Sequence, residues 1–247
     1  MKTMKFSQRG FTLVELMIAI VISVFLIGGL LMMVQSTRNA FGNQNLLGQL
    51  QDNERLAMTF MADVVESTGY FPDPVNNTGA ALMPVNATFL TAGQAAFGTF
   101  SAAAPGDTVS IRYAAAAGDT NLFNCLGLVN TAAATDVFTN KFSVDPVNQQ
   151  LVCTASSQLG SFATKTVPLV NGVQNLTILY GVKRSANDTG SCADTYLNAG
   201  QMLAADWTSL CSISVAITFT NPIPPQNPPT ITIKRVIATM NAAGVNS

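Results

Sequence analysis

The sequence predicts an α+β protein: one long N-terminal helix, first transmembrane and then amphipathic, packed on an antiparallel β-sheet head. Three observations carry that prediction. Residues 11–34 form an apolar block, a helical spacing of apolar residues follows it, and short runs of strict alternation recur from residue 108 onward. At 247 residues the chain has room for one sizeable head beside such a helix.

The apolar block reads FTLVELMIAIVISVFLIGGLLMMV and contains one ionisable side chain, Glu15. As a helix it would extend roughly 36 Å at the usual rise per residue, more than the roughly 30 Å of a hydrocarbon core. Before it stand Lys2, Lys5 and Arg9 and no acid, so the positive-inside bias keeps the N-terminus cytoplasmic and sends the remainder outward. A secretory signal peptide fits poorly, because its apolar region runs only about 7 to 15 residues and ends at a small-residue cleavage site.

Glu15 is the informative residue of that block. A carboxylate within a spanning helix costs about 2.5 to 3.5 kcal/mol on insertion scales and calls for a partner. A cut between Gly10 and Phe11 would create an α-amino group four residues upstream, able to face Glu15 of an adjacent subunit. Opposite charges about 4 Å apart attract by about 4 kcal/mol at an effective dielectric near 20, enough to offset the burial. The bland alternative is a signal anchor whose carboxylate reaches the interface.

The stretch RGFTLVELMIAIVI resembles the type IV prepilin signature: a basic leader, Gly before the cut, Phe and Thr after it, and Glu as the fifth mature residue. The resemblance implies a pilin-like fold and a leader over 1–10. It implies cleavage after Gly10 by a membrane-embedded prepilin peptidase, N-methylation of Phe11, and contact between Glu15 and a neighbour's N-terminus. It also implies a single-pass protein of the bacterial inner membrane with its head in the periplasm, carried later into a pilus at the cell surface.

Beyond the membrane-spanning part, 11–34, the apolar residues Leu46, Leu50, Ala57, Met61 and Val64 keep one helix face, while Asp52, Glu54, Arg55, Asp63 and Glu66 take other angles. Gly69 and then Pro72 supply a stop, so the helix is expected over about 11–67, with 35–68 as its amphipathic half. Gly28, Gly29, Gly42 and Gly48 each weaken it by up to about 1 kcal/mol relative to alanine, and a bend or melted turn is the expectation near 42–48. The proline that often kinks this helix in pilins is absent. Asp63 and Glu66, three apart, read as a solvated helix end rather than an acid–base pair.

The head is expected over 69–247. Residues 70–105, rich in Pro, Gly, Asn and Ala, read as loop with short strands at most. Val109, Ile111 and Tyr113 alternate with Thr108, Ser110 and Arg112; Leu176, Ile178, Tyr180 and Val182 repeat the pattern, as do Ile213, Val215, Ile217 and Phe219. TITIKRVIAT sets Ile231 and Ile233 on one face, and NPIPPQNPP before it reads as a stiff connection between antiparallel strands. One apolar face of the resulting sheet would bury the free side of the helix.

A second resemblance covers the head. GDTVSIRY, LVNGVQNLTILYGV, a polar loop ending ADTYLNA, Trp207 and the strand SISVAITF follow the order of the PilW type of minor pilin. The loop KRSANDTGSCAD departs from that family's acidic, glycine-containing turn by adding two basic residues and a cysteine. Its Asp188 and Asp194 fall short of the roughly six oxygens a calcium ion takes, and a pinned surface loop is the reading. Trp207 reads as a core or edge residue, since one aromatic makes no stacking platform.

Cys125, Cys153, Cys192 and Cys211 form no C-x-x-C pair and read as two disulfides in an oxidising periplasm. Of three connectivities, Cys125 with Cys153 and Cys192 with Cys211 are favoured, because each pair brackets a modest loop between predicted strands. Histidine is absent, which removes the commonest general base and metal ligand. With no G-x-S-x-G turn either, an enzyme is not expected, nor a metal or cofactor. The formal charge of −1 gives no footprint for nucleic-acid binding, and loss of Lys2, Lys5 and Arg9 would make the chain more acidic still.

The function these features imply is structural: a minor pilin that primes or caps a type IV pilus, meeting other minor and major pilins through its N-terminal helix, besides prepilin peptidase and inner-membrane lipid. A minor pseudopilin of type II secretion is the alternative within the same assembly class. A tip adhesin or DNA-uptake subunit is the alternative from another, resting on the Ala-, Thr- and Asn-rich loops.

Overall fold

The computed structural model describes residues 10–185, 192–223, 225 and 228–239. Lys2, Lys5, Arg9 and Asp188 of the sequence reading lie outside them. Helix α1 runs Leu13–Glu66 and ends short of Gly69, whose φ of 75° suits a residue without a side chain. Residues 42–48 stay helical, so the expected melted turn does not occur. A penalty of up to about 1 kcal/mol per glycine does not by itself open a helix held on both sides. The chain divides into two units, residues 1–48 and 49–247.

In the first unit the large apolar side chains of α1 lie exposed from Leu13 to Phe41, as does Phe11 ahead of it. The second unit holds the end of α1, the short helix α2 (Gly79–Leu82) and nine strands among the described residues. These are β1 (Ala96–Thr99), β2 (Thr108–Ala115), β3 (Asp136–Asp145), β4 (Gln150–Ser157), β5 (Lys165–Asn171), β6 (Val173–Val182), β7 (Thr195–Leu197), β8 (Ser212–Thr220) and β9 (Thr230–Ala238). They form two antiparallel sheets, ordered β1-β2-β3-β4-β5 and β7-β6-β8-β9.

The four strand patterns legible in the sequence therefore do not share one sheet. β2 belongs to the first, and β6, β8 and β9 to the second. Both sheets and α1 contribute to one core, in which Ala57, Met61 and Val65 meet Tyr113, Phe138 and Phe142 from the first sheet and Tyr180, Ile213 and Val215 from the second. Trp207 is buried, its ring 4.8 Å from that of Tyr180 and 5.4 Å from that of Phe97.

Asp107 ties the sheets together at the start of β2. Its carboxylate accepts the Ser101 N–H at 2.9 Å and the Ile178 N–H at 2.7 Å, and its own N–H donates to the Leu176 carbonyl at 2.8 Å. Gly106 beside it has φ 91°, and an added Cβ would run into the Leu176 carbonyl, so the backbones meet only through glycine.

β2 is buried on both faces, against the half-exposed strand its polar alternation suggests. Segment 83–94 covers the second face, and Arg112 holds it there. Nε donates to Gln94 O at 2.5 Å, Nη1 to Pro84 O at 2.7 Å, and Nη2 to Met83 O at 3.1 Å and Thr91 O at 3.4 Å. The guanidinium lies 4.3 Å from the centroid of the Phe89 ring. Burial lowers the Arg112 pKa to about 10, which leaves it charged at neutral pH. Disulfides join Cys125 to Cys153 and Cys192 to Cys211.

Candidate assembly segment and the polar sites of the head

The segment that carries Gly10, Phe11 and Glu15 opens α1. Thr12 stands at the N-cap: its Oγ1 accepts the Glu15 N–H at 3.3 Å, while Glu15 Oε2 accepts the Thr12 N–H at 3.3 Å and the Thr12 hydroxyl at 3.4 Å. This reciprocal capping box gives acceptors to two of the N–H donors at the helix start, those of Thr12 and Glu15. The signal for it in the sequence is T-L-V-E ahead of an apolar run, which spells the box.

Glu15 has no cation partner among the described residues, where the ion pair found is Arg184 with Asp206. Around it Phe11 is 87% exposed, and farther along Phe25 is 81% exposed. Leu13, Val14, Leu16, Met17 and Ile18 are exposed too, on successive faces of the helix. A helix apolar all round has its stable environment in lipid or among like helices. By length and composition α1 can cross a membrane.

In the head, Asp194 is occupied by backbone donors: Arg184 N–H reaches its two oxygens at 3.0 and 3.1 Å and Ser185 N–H one of them at 2.6 Å. Those bonds hold its carboxyl below the usual range. Arg184 Nη2 meets Asp206 Oδ2 at 2.5 Å. Asp194 is thus taken up by backbone donors and Asp206 by Arg184, and Cys192–Cys211 ties this region to the start of β8.

Asp136 is buried on β3. Its Oδ2 accepts the Ser157 hydroxyl and, at 2.5 Å, the Ser161 hydroxyl; its Oδ1 accepts Leu159 N–H at 2.8 Å. Desolvation pushes its pKa up, but the Ser157 and Ser161 hydroxyls with the Leu159 and Val137 N–H groups outweigh it and hold the carboxyl below its ordinary value. The serines serve the carboxylate rather than being activated by it. No cluster of three or more metal-ligating side chains occurs among the described residues. An open cleft of about 540 Å³ lies between Leu56 and Phe60 of α1, Leu126 and Leu128, and Val167 and Leu169 of β5, with Lys165 its one charged lining residue.

Two stretches of the chain match family models. Residues 5–31 match the prokaryotic N-terminal methylation motif, and residues 133–238 match type IV pilus-assembly protein W. The second match runs from the approach to β3 to the end of β9; GDTVSIRY of the sequence resemblance falls outside it. No curated protein matches the chain. Among solved structures it is similar to a type IV-like pilin from Thermus thermophilus at 16% identity and a TM-score of 0.44, over 78% of this chain and 97% of that one.

Proposed function

We propose that this chain, a type IV pilin-like protein of the PilW type by those two matches, is a minor pilin that primes or caps filament assembly at the membrane. The observation that carries the reading is the junction at Gly10 and Phe11, followed four residues later by Glu15 within an otherwise apolar, exposed helix. In the proposed sequence of events, prepilin peptidase cuts after Gly10 and methylates Phe11. Lipid covers the helix until neighbouring pilin helices replace it. The new amino group of a neighbour then takes Glu15 Oε2 from Thr12, exchanging two bonds of 3.3 and 3.4 Å for an ion pair shielded from water.

Mass spectrometry of the cellular protein should find a mature chain that begins at N-methylated Phe11. Glu15→Leu should still be processed yet fail to enter filaments. An active chain that retains Met1, or a Glu15→Leu chain that enters filaments normally, overturns the reading. Deleting the gene separates the assembly machines: lost surface pili support the pilus role, and lost exoprotein secretion with pili intact assigns the chain to type II secretion.

A further inference from the structure

The second sheet ends on an edge unlike the others. Of the strands that close the two sheets, β1 has 4 residues, β7 has 3, and β5 has 7 with Pro168 inside it and a register shift against β4. Short length, proline and bulges are the means by which sheets blunt their edges. β9 has 9 residues, no proline, and an unshifted register with β8 from Thr230 to Ala238.

Two bonds that flank this ladder fix which way its groups point. Asn221 N–H donates to Pro229 O and Thr239 N–H to Cys211 O, both at 3.0 Å and both at odd-numbered positions in register with the ladder. Antiparallel pairs alternate between bonded and non-bonded, so odd residues of β9 turn their N–H and C=O toward β8. Thr230, Thr232, Lys234, Val236 and Ala238 turn theirs outward. Among the described residues these outward groups have no backbone partner, and Thr232, Lys234, Val236 and Ala238 are exposed.

Charge selects the occupant. Lys234 and Arg235 are adjacent, exposed and without an ion-pair partner among the described residues, on a chain that is acidic overall. The chain's other edges offer no complement, since β1 (AFGT), β5 (KTVPLVN) and β7 (TYL) contain no carboxylate. Two copies of β9 laid together would bring their own cations close. We infer that β9 is a docking edge for an extended strand of a different pilin subunit, one that bears carboxylates opposite Lys234 and Arg235. Backbone bonds to the even-numbered residues give the attachment, and the cation pair gives the choice of partner.

This inference rests on the pilin reading, and its test is built to fail separately from it. In the native cells, full-length Val236→Pro removes one outward N–H and leaves the β8 ladder whole, while Lys234→Glu reverses the selecting charge. Both should be processed at Phe11 and melt like the unaltered chain, yet be lost from sheared filaments; Lys234→Arg should be retained. In assembled filaments the amides of Thr232, Lys234 and Val236 should exchange hydrogen more slowly than in the detergent-solubilised monomer. Lys234→Glu incorporated at the unaltered level, or unchanged exchange at those amides, overturns the docking edge. If Glu15→Leu is excluded from filaments in the same cells, the pilin reading survives that failure; if Glu15→Leu is incorporated, both fall together.

Discussion

Residues 10–48 and the head from residue 49 onward treat the same side chains in opposite ways. Phe25 and Phe41 lie exposed on α1, whereas Phe138 and Phe142 are fully buried between sheets tied by backbone bonds and by Asp107. The head buries a large apolar core within the chain. The helix start leaves its apolar residues uncovered within the chain, and Thr12 and Glu15 bond to each other in its first turn. A single sequence therefore encodes a part that buries its core within the chain and a part that does not.

The sharpest way to break this contrast is to cut the same residue type in both regions. Phe138→Ala should destabilise the head by about 3–5 kcal/mol, read as a lower melting temperature. Phe25→Ala should leave head unfolding unchanged; a comparable loss there would mean that the helix start is not independent of the head's stability. A somewhat smaller effect is expected from Arg112→Met, about 2–4 kcal/mol, because four backbone carbonyls lose their donor together. Proteolysis should then open first within 83–94, and unchanged protection there would show that other contacts hold that segment.

The mildest test uses acid. The folded Asp136 carboxyl lies below its ordinary value, so its contribution is present above the unfolded pKa of about 3.9 and fades as pH falls through the folded one. Asp136→Asn should flatten that part of the acid limb of head stability, with little change in membrane insertion. Parallel acid limbs for the two proteins would remove Asp136 as a source of the pH dependence.

What the sequence made legible follows from which residues face water. β6, β8 and β9 alternate because one face of their sheet is polar, as in the pair formed by Thr218 and Thr232 hydroxyls at 2.9 Å. β3 hides its pattern: Asn140 stands among inward-facing Phe138, Phe142 and Val144, where it accepts the Cys125 N–H at 2.8 Å. β4 buries the small Cys153 and Ala155, and Pro168 makes β5 look like a break. Segment 83–94 could not be read locally, because the Arg112 side chain, 18 to 29 positions away, holds its carbonyls. At the helix start the residue types alone exposed Glu15, since a charge in an apolar run needs no tertiary context to be conspicuous.

The Asp107 carboxylate joins Ile178 across 71 positions of chain. Contacts so distant in sequence carry a large closure entropy and reward it late. Sheet β7-β6-β8-β9 accordingly receives its tie to the rest only after most of the head has been delivered. Until then β6 would offer open hydrogen-bonding groups and the apolar side chains of Leu176 and Ile178 to whatever lies nearby. A newly made head is thus at its most vulnerable in the interval before Asp107 closes, when a companion that shields β6 would have the greatest influence on yield.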